Sequence, residues 1–153
     1  MKLSSQVCTY QQAKRLKELG VAQGFSQHIH WSWAEYDAES RSIVTARTAD
    51  RNAQIYIDAY SVAELGIMLP RNFGSFYCGQ EIWRIANTFN YAQKNAKEPD
   101  IVGTHFWGTL ATYVNISGRT EAEVRANLLL VLLEKNIFTV DDVNTNINLS
   151  NAK

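Results

Sequence analysis

No run of about 18 apolar residues occurs in the 153-residue chain, so no segment reads as a membrane-spanning helix. The start, Met1-Lys2-Leu3-Ser4-Ser5-Gln6-Val7, lacks the apolar region of a secretory signal, and a cytoplasmic protein is expected. Cysteine is scarce: Cys8 and Cys78 stand 70 positions apart. No Cys-x-x-Cys is present, which excludes cysteine zinc sites and thioredoxin-like redox motifs, and two reduced thiols are expected. Two prolines and eight glycines are too few for linkers or low complexity. Gly-x-Ser-x-Gly and Gly-x-x-x-x-Gly-Lys-Ser/Thr are both missing, so neither a nucleophile elbow nor a phosphate loop is written in the chain. An excess of one charge is missing too, with 15 basic against 15 acidic residues. The balance holds locally, at six and five in residues 1–50, five and five in 51–100, and four and five in 101–153. A phosphate-dominated nucleic-acid footprint is therefore disfavoured. A nucleotide site would have to rely on stacking and hydrogen bonds, or on a basic cluster that forms only on folding.

What is present is ordinary globular composition, 46% hydrophobic, with a length suited to one domain over 1–153. Four helix starts are legible from hydroxyl caps followed three residues later by an acid or amide. Thr9 with Gln12 opens a helix that Gly20 closes, with Tyr10, Ala13, Leu16 and Leu19 as its apolar stripe and Lys14, Arg15 and Lys17 facing water. Ser61 with Glu64 opens 62–69, which Pro70 ends. Thr120 with Glu123 opens a helix running to about Asn136. Thr139 with Asp142 opens the last one, to about Leu149. Residues 128–133 are six consecutive apolar side chains, which cover every face of a helix and predict burial all round, in the core or in a homo-oligomer interface.

Strands are predicted at 28–36, 42–48, 52–60, 75–77, 81–89 and 102–114 from alternation and aromatic content. Ile29, Trp31 and Trp33 would share one face of the first, and Trp31 and Trp33 would serve as core. Residues 90–100 are polar and read as an exposed loop or a frayed helical turn, with Glu98-Pro99-Asp100 as the nick site. Consecutive strands with short breaks and clustered helices predict an α+β fold, an antiparallel sheet with helices mainly on one face.

His28 and His30 sit two apart on a strand, on one face and about 7 Å apart at the backbone. With His105 they could form a three-histidine zinc site whose bound hydroxide attacks an electrophile, a metal-dependent hydrolase. Strand histidines among tryptophans are more commonly packing residues, and no cofactor is expected. His30-Trp31-Ser32 fits one copy of the His-x-Ser/Thr motif of two-histidine phosphoesterases. The second copy would fall at His105-Phe106-Trp107, where Trp replaces the required hydroxyl. Glu35 and Asp37 are read as an edge carboxylate and a turn residue. His28, His30, Tyr36, His105, Trp107 and Tyr113 are the candidate ligand-binding set. On a shared sheet face they would offer stacking planes with neutral donors and acceptors.

Three stretches carry a resemblance. They are Cys8-Thr9-Tyr10-Gln11-Gln12-Ala13 leading to Leu16-Lys17-Glu18-Leu19-Gly20, then Ala59-Tyr60-Ser61-Val62-Ala63-Glu64-Leu65-Gly66 ending in Met68-Leu69-Pro70, and Thr120-Glu121-Ala122-Glu123 through Leu133-Glu134-Lys135-Asn136. In that order they resemble small uncharacterised proteins of bacteriophages, prophages and mobile elements. The resemblance implies an accessory protein of the host bacterial cytoplasm that binds a host protein or a small, nucleotide-like ligand. It carries no catalytic residue.

Overall fold

The computed structural model describes residues 2–33, 41–69, 75–78, 81–95, 98–109, 112–116, 118–136 and 138–153, with backbone pairing alone between 75 and 116. The fold is α+β. Helix α1 (Tyr10–Leu19) begins with the predicted capping box: the Thr9 hydroxyl accepts from the Gln12 N–H, and Gln12 Oε1 accepts from the Thr9 N–H at 2.9 Å. It ends at Gly20, whose φ of +101° is the left-handed exit conformation that glycine adopts without a Cβ clash. The other end of the Gln12 side chain reaches across the core. Its Nε2 donates to the Glu123 carbonyl at 2.9 Å and to Asn127 Oδ1 at 2.7 Å, so one residue both caps α1 and ties it to the third helix.

Strands β1 (His28–Ser32), β2 (Ser42–Thr45) and β3 (Ile55–Asp58) form an antiparallel sheet in the order β2-β1-β3. His30 stands opposite Ile43 and Ile57, and Trp31 opposite Ser42 and Tyr56. Ile57 belongs to the helix-packed core, so the face bearing His28, His30 and Ser32 is the one turned to the helices. Ile29 on the other face is fully buried as well. The tryptophan expectation fails at Trp33, which is 55% exposed. The strand stops at Ser32, one residue before alternation could carry Trp33 inward, and its ring instead meets Trp31 edge-to-face at 5.4 Å.

Helix α2 (Val62–Met68) starts with the Ser61/Glu64 box and gives way at Leu69 to extended backbone, φ −68° and ψ 154°, as a residue before proline requires; Pro70 itself lies outside the described residues. A second sheet, β4 (Ser75–Cys78), β5 (Glu81–Asn95), β6 (Glu98–Thr109) and β7 (Thr112–Ile116), is antiparallel with consecutive neighbours paired. Two expectations change here. In place of the expected loop or frayed helical turn, residues 90–95 are the end of β5 and Glu98-Pro99-Asp100 opens β6. Cross-strand pairs such as Tyr91 with Gly103 and Ala92 with Val102 impose strand on a sequence of low strand propensity. The predicted single strand 102–114 falls on two antiparallel strands, β6 and β7, with Thr109 paired with Thr112.

Helix α3 (Glu121–Glu134) is the central packing element, lying against α1, α2, β6 and β7. Leu128, Leu129, Leu132 and Leu133 are buried, while Leu130 and Val131 are partly buried against the same core. Its cap is half a box. Thr120 accepts from the Glu123 N–H at 3.2 Å, but the Glu123 carboxylate accepts from the Arg119 N–H at 2.8 Å rather than from Thr120. Helix α4 (Val140–Asn151) keeps the full Thr139/Asp142 box and buries Val143 and Ile147. No helix among the described residues is long and apolar enough to cross a membrane.

Candidate functional site

His30 is 6% exposed and its Nε2 lies 3.0 Å from the Cys8 carbonyl oxygen. A carbonyl can only accept, so Nε2 carries the hydrogen and Nδ1 is the remaining lone pair. Burial holds the imidazole pKa below its usual value, which keeps the ring neutral; its edge packs on Tyr10 at 5.9 Å. His28 is half-buried and lines a pocket of about 380 Å³ with Phe25, Gln27, Ser61, Glu64 and Ile67, and its buried Nδ1 has no hydrogen-bond partner. His105 stands opposite Ile116 in the second sheet, whereas His28 and His30 are in the first. Among the described residues no group of three or more His, Cys, Asp or Glu side chains is placed to hold a metal ion. Trp107 pairs with Val114, and Tyr113 with Gly108. These register positions have opposite parity on neighbouring strands, so Trp107 and Tyr113 do not share one face of one strand. Tyr36, Glu35 and Asp37 lie outside the described residues.

Two carboxylates that the sequence reading left among caps and strands prove to be buried. Asp58, 1% exposed, sits at the end of β3, and its Oδ2 accepts from three consecutive backbone N–H groups, Gly24 at 2.9 Å, Phe25 at 3.0 Å and Ser26 at 3.1 Å. Desolvation raises its pKa, with the three amide bonds opposing. Glu64 accepts at Oε2 from the Ser61 N–H (2.7 Å) and the Ser26 hydroxyl (3.0 Å), and at Oε1 from the Gln27 N–H (2.9 Å). Tyr60 donates to the Ala22 carbonyl at 3.0 Å and accepts from Gln23 Nε2 at 2.7 Å. This set fastens the 22–27 connection between α1 and β1 onto the end of β3 and the start of α2. Its carboxylates accept hydrogen bonds from within the chain, so it positions backbone. Cys8 beside it is a free buried thiol whose pKa burial pushes up to about 12, which leaves it unreactive.

The open feature is a groove of about 660 Å³ between α1 and the outer edge of β3, lined by Tyr10, Lys14, Lys17, Arg51 and Tyr56 among others. Lys14 and Lys17 project from the solvent side of α1, one turn apart, while Arg51 comes from the turn before β3. None of the three forms an ion pair with a described residue; the one acidic lining residue, Glu18, lies 3.5 Å from Arg15. Arg41 stacks over the Tyr10 ring at 4.3 Å, which adds a fourth cation near the groove. Tyr10 and Tyr56 supply aromatic surface. Lys14, Lys17, Arg51 and Tyr56 are the residues that sequence reasoning missed as a site. The available signal was the Lys14/Lys17 spacing, which was read as solvation. No protein family, curated protein or solved structure matches the chain.

Proposed function

We propose that the protein is a binding module, a phage-type accessory protein in keeping with the three quoted stretches, that holds an anionic partner in the α1–β3 groove. A host protein is the partner class that setting favours. The observation that carries this reading is the convergence of Lys14, Lys17 and Arg51 on one groove without a neutralising partner among the described residues. In a chain of zero net charge, three such cations form a local positive patch that attracts a complementary anionic surface. Amide chemical-shift mapping during titration with polyglutamate tests it. Shifts are expected at Lys14, Lys17, Arg51 and Tyr56; shifts confined to other elements would overturn the reading.

A second reading places a small polar ligand in the pocket beside His28, and the unpartnered Nδ1 supports it. A ligand that donates a hydrogen bond there would lose affinity in His28→Ala, as an equilibrium binding titration would show, and would keep it in Lys14→Glu.

A further inference from the structure

Resting on the groove reading, we propose that the occupant is an acidic peptide segment in extended conformation, which adds as a further strand to the outer edge of β3. β3 is an edge strand in the order β2-β1-β3, and among the described residues no strand pairs with its outer side. The Ala59 N–H bonds the His28 carbonyl at 2.8 Å, so the odd-numbered residues of β3 direct their backbone groups to β1. The N–H and C=O of Tyr56 therefore point outward, into the groove. The neighbouring outward N–H, that of Asp58, is already satisfied by Gln23 Oε1 at 3.1 Å. The edge is thus capped at one end and open at Tyr56, which limits the added strand to a short register centred there.

The charges fit the same occupant. α1 runs beside β3 and sets Lys14 and Lys17 along one wall, with Arg51 at the end of the groove where β3 begins. A strand lying between these walls places alternate side chains toward α1, where carboxylates meet the two lysines. Main-chain bonds to Tyr56 supply affinity and the cations supply selectivity, the division of labour of strand addition. An oligonucleotide would satisfy the cations but has no alternating amide edge to pair with Tyr56.

The test uses a fluorescent eight-residue peptide of alternating glutamate and valine on the full chain, followed by polarisation. Two N-methylated versions, blocking alternate amides in opposite phases, keep the charge and remove one edge each. Binding weakened at least tenfold by one phase and spared by the other is expected, together with at least tenfold loss in the Lys14→Glu/Lys17→Glu variant, whose fold is checked by circular dichroism. Equal affinity for both phases overturns strand addition and leaves the groove as an anion site. Tighter binding of an oligothymidylate of equal length overturns the peptide assignment. Affinity unchanged by the double charge reversal, or no binding of the peptide at millimolar concentration, overturns the proposal; polyglutamate mapping then tells whether the groove reading falls with it.

Discussion

Two charged regions flank β3, and the fold treats them in opposite ways. At its C-terminal end the Asp58 carboxylate is buried and accepts from three amide N–H groups at Oδ2, and Glu64 nearby accepts from two more and a hydroxyl. Along its outer edge Lys14, Lys17 and Arg51 are exposed, with no ion-pair partner among the described residues. A buried carboxylate would destabilise the fold unless its lone pairs were met, so its partners are built into the chain. Exposed cations are solvated at almost no cost, so the fold can leave them for another molecule. Charge buried with its partners serves architecture here, and charge left open is what the proposed recognition would use.

The comparison breaks most sharply at Asp58. Asp58→Ala would leave three N–H groups without their acceptor and is expected to destabilise by about 3 kcal/mol or more, read from the urea midpoint; a loss near zero would remove the architectural role. Asp58→Asn, which retains an acceptor oxygen, should recover part of that loss. Glu64→Ala is expected to cost about 2 kcal/mol by the same measurement, since it strips the α2 cap and the anchor of Gln27 together. The His30 imidazole has its pKa lowered by burial from the ordinary 6.5. The unfolded chain then binds the proton more readily, so this group's contribution is present above about pH 6.5 and is lost as pH falls below it. Between pH 7 and 5 the wild type should lose stability faster than His30→Gln, by no more than about 1.4 kcal/mol per pH unit; parallel curves would contradict the buried neutral ring. At the small end, Lys14→Glu, Lys17→Glu and Arg51→Glu should each change stability by less than about 0.5 kcal/mol.

Local chemistry was legible in the sequence. Thr9/Gln12, Ser61/Glu64 and Thr139/Asp142 are three-residue spacings, and each forms the box it spells. The α+β class followed from the order of such signals. What escaped depends on pairing and competing acceptor choices that no short motif spells. Polar residues 90–95 are strand through pairing with β6, and the Glu123 carboxylate accepts from the Arg119 N–H instead of closing its box. Strand β1 ends at Ser32, so the aromatic face drawn through Trp33 and beyond was cut short. The site was hidden for a related reason. Charge counted along the chain is even, and folding alone brings Lys14 and Lys17 to the same groove as Arg51. The possibility of a basic cluster was readable in advance, its members were not.

The most direct test of the central claim is a paired measurement on the Lys14→Glu/Lys17→Glu/Arg51→Glu variant: thermal midpoint, and affinity for polyglutamate at low salt. The account predicts a midpoint within about 4 °C of wild type, as surface substitutions of small effect allow, with affinity reduced at least tenfold. Unchanged affinity, or a collapse of the midpoint comparable to that of Asp58→Ala, would contradict it.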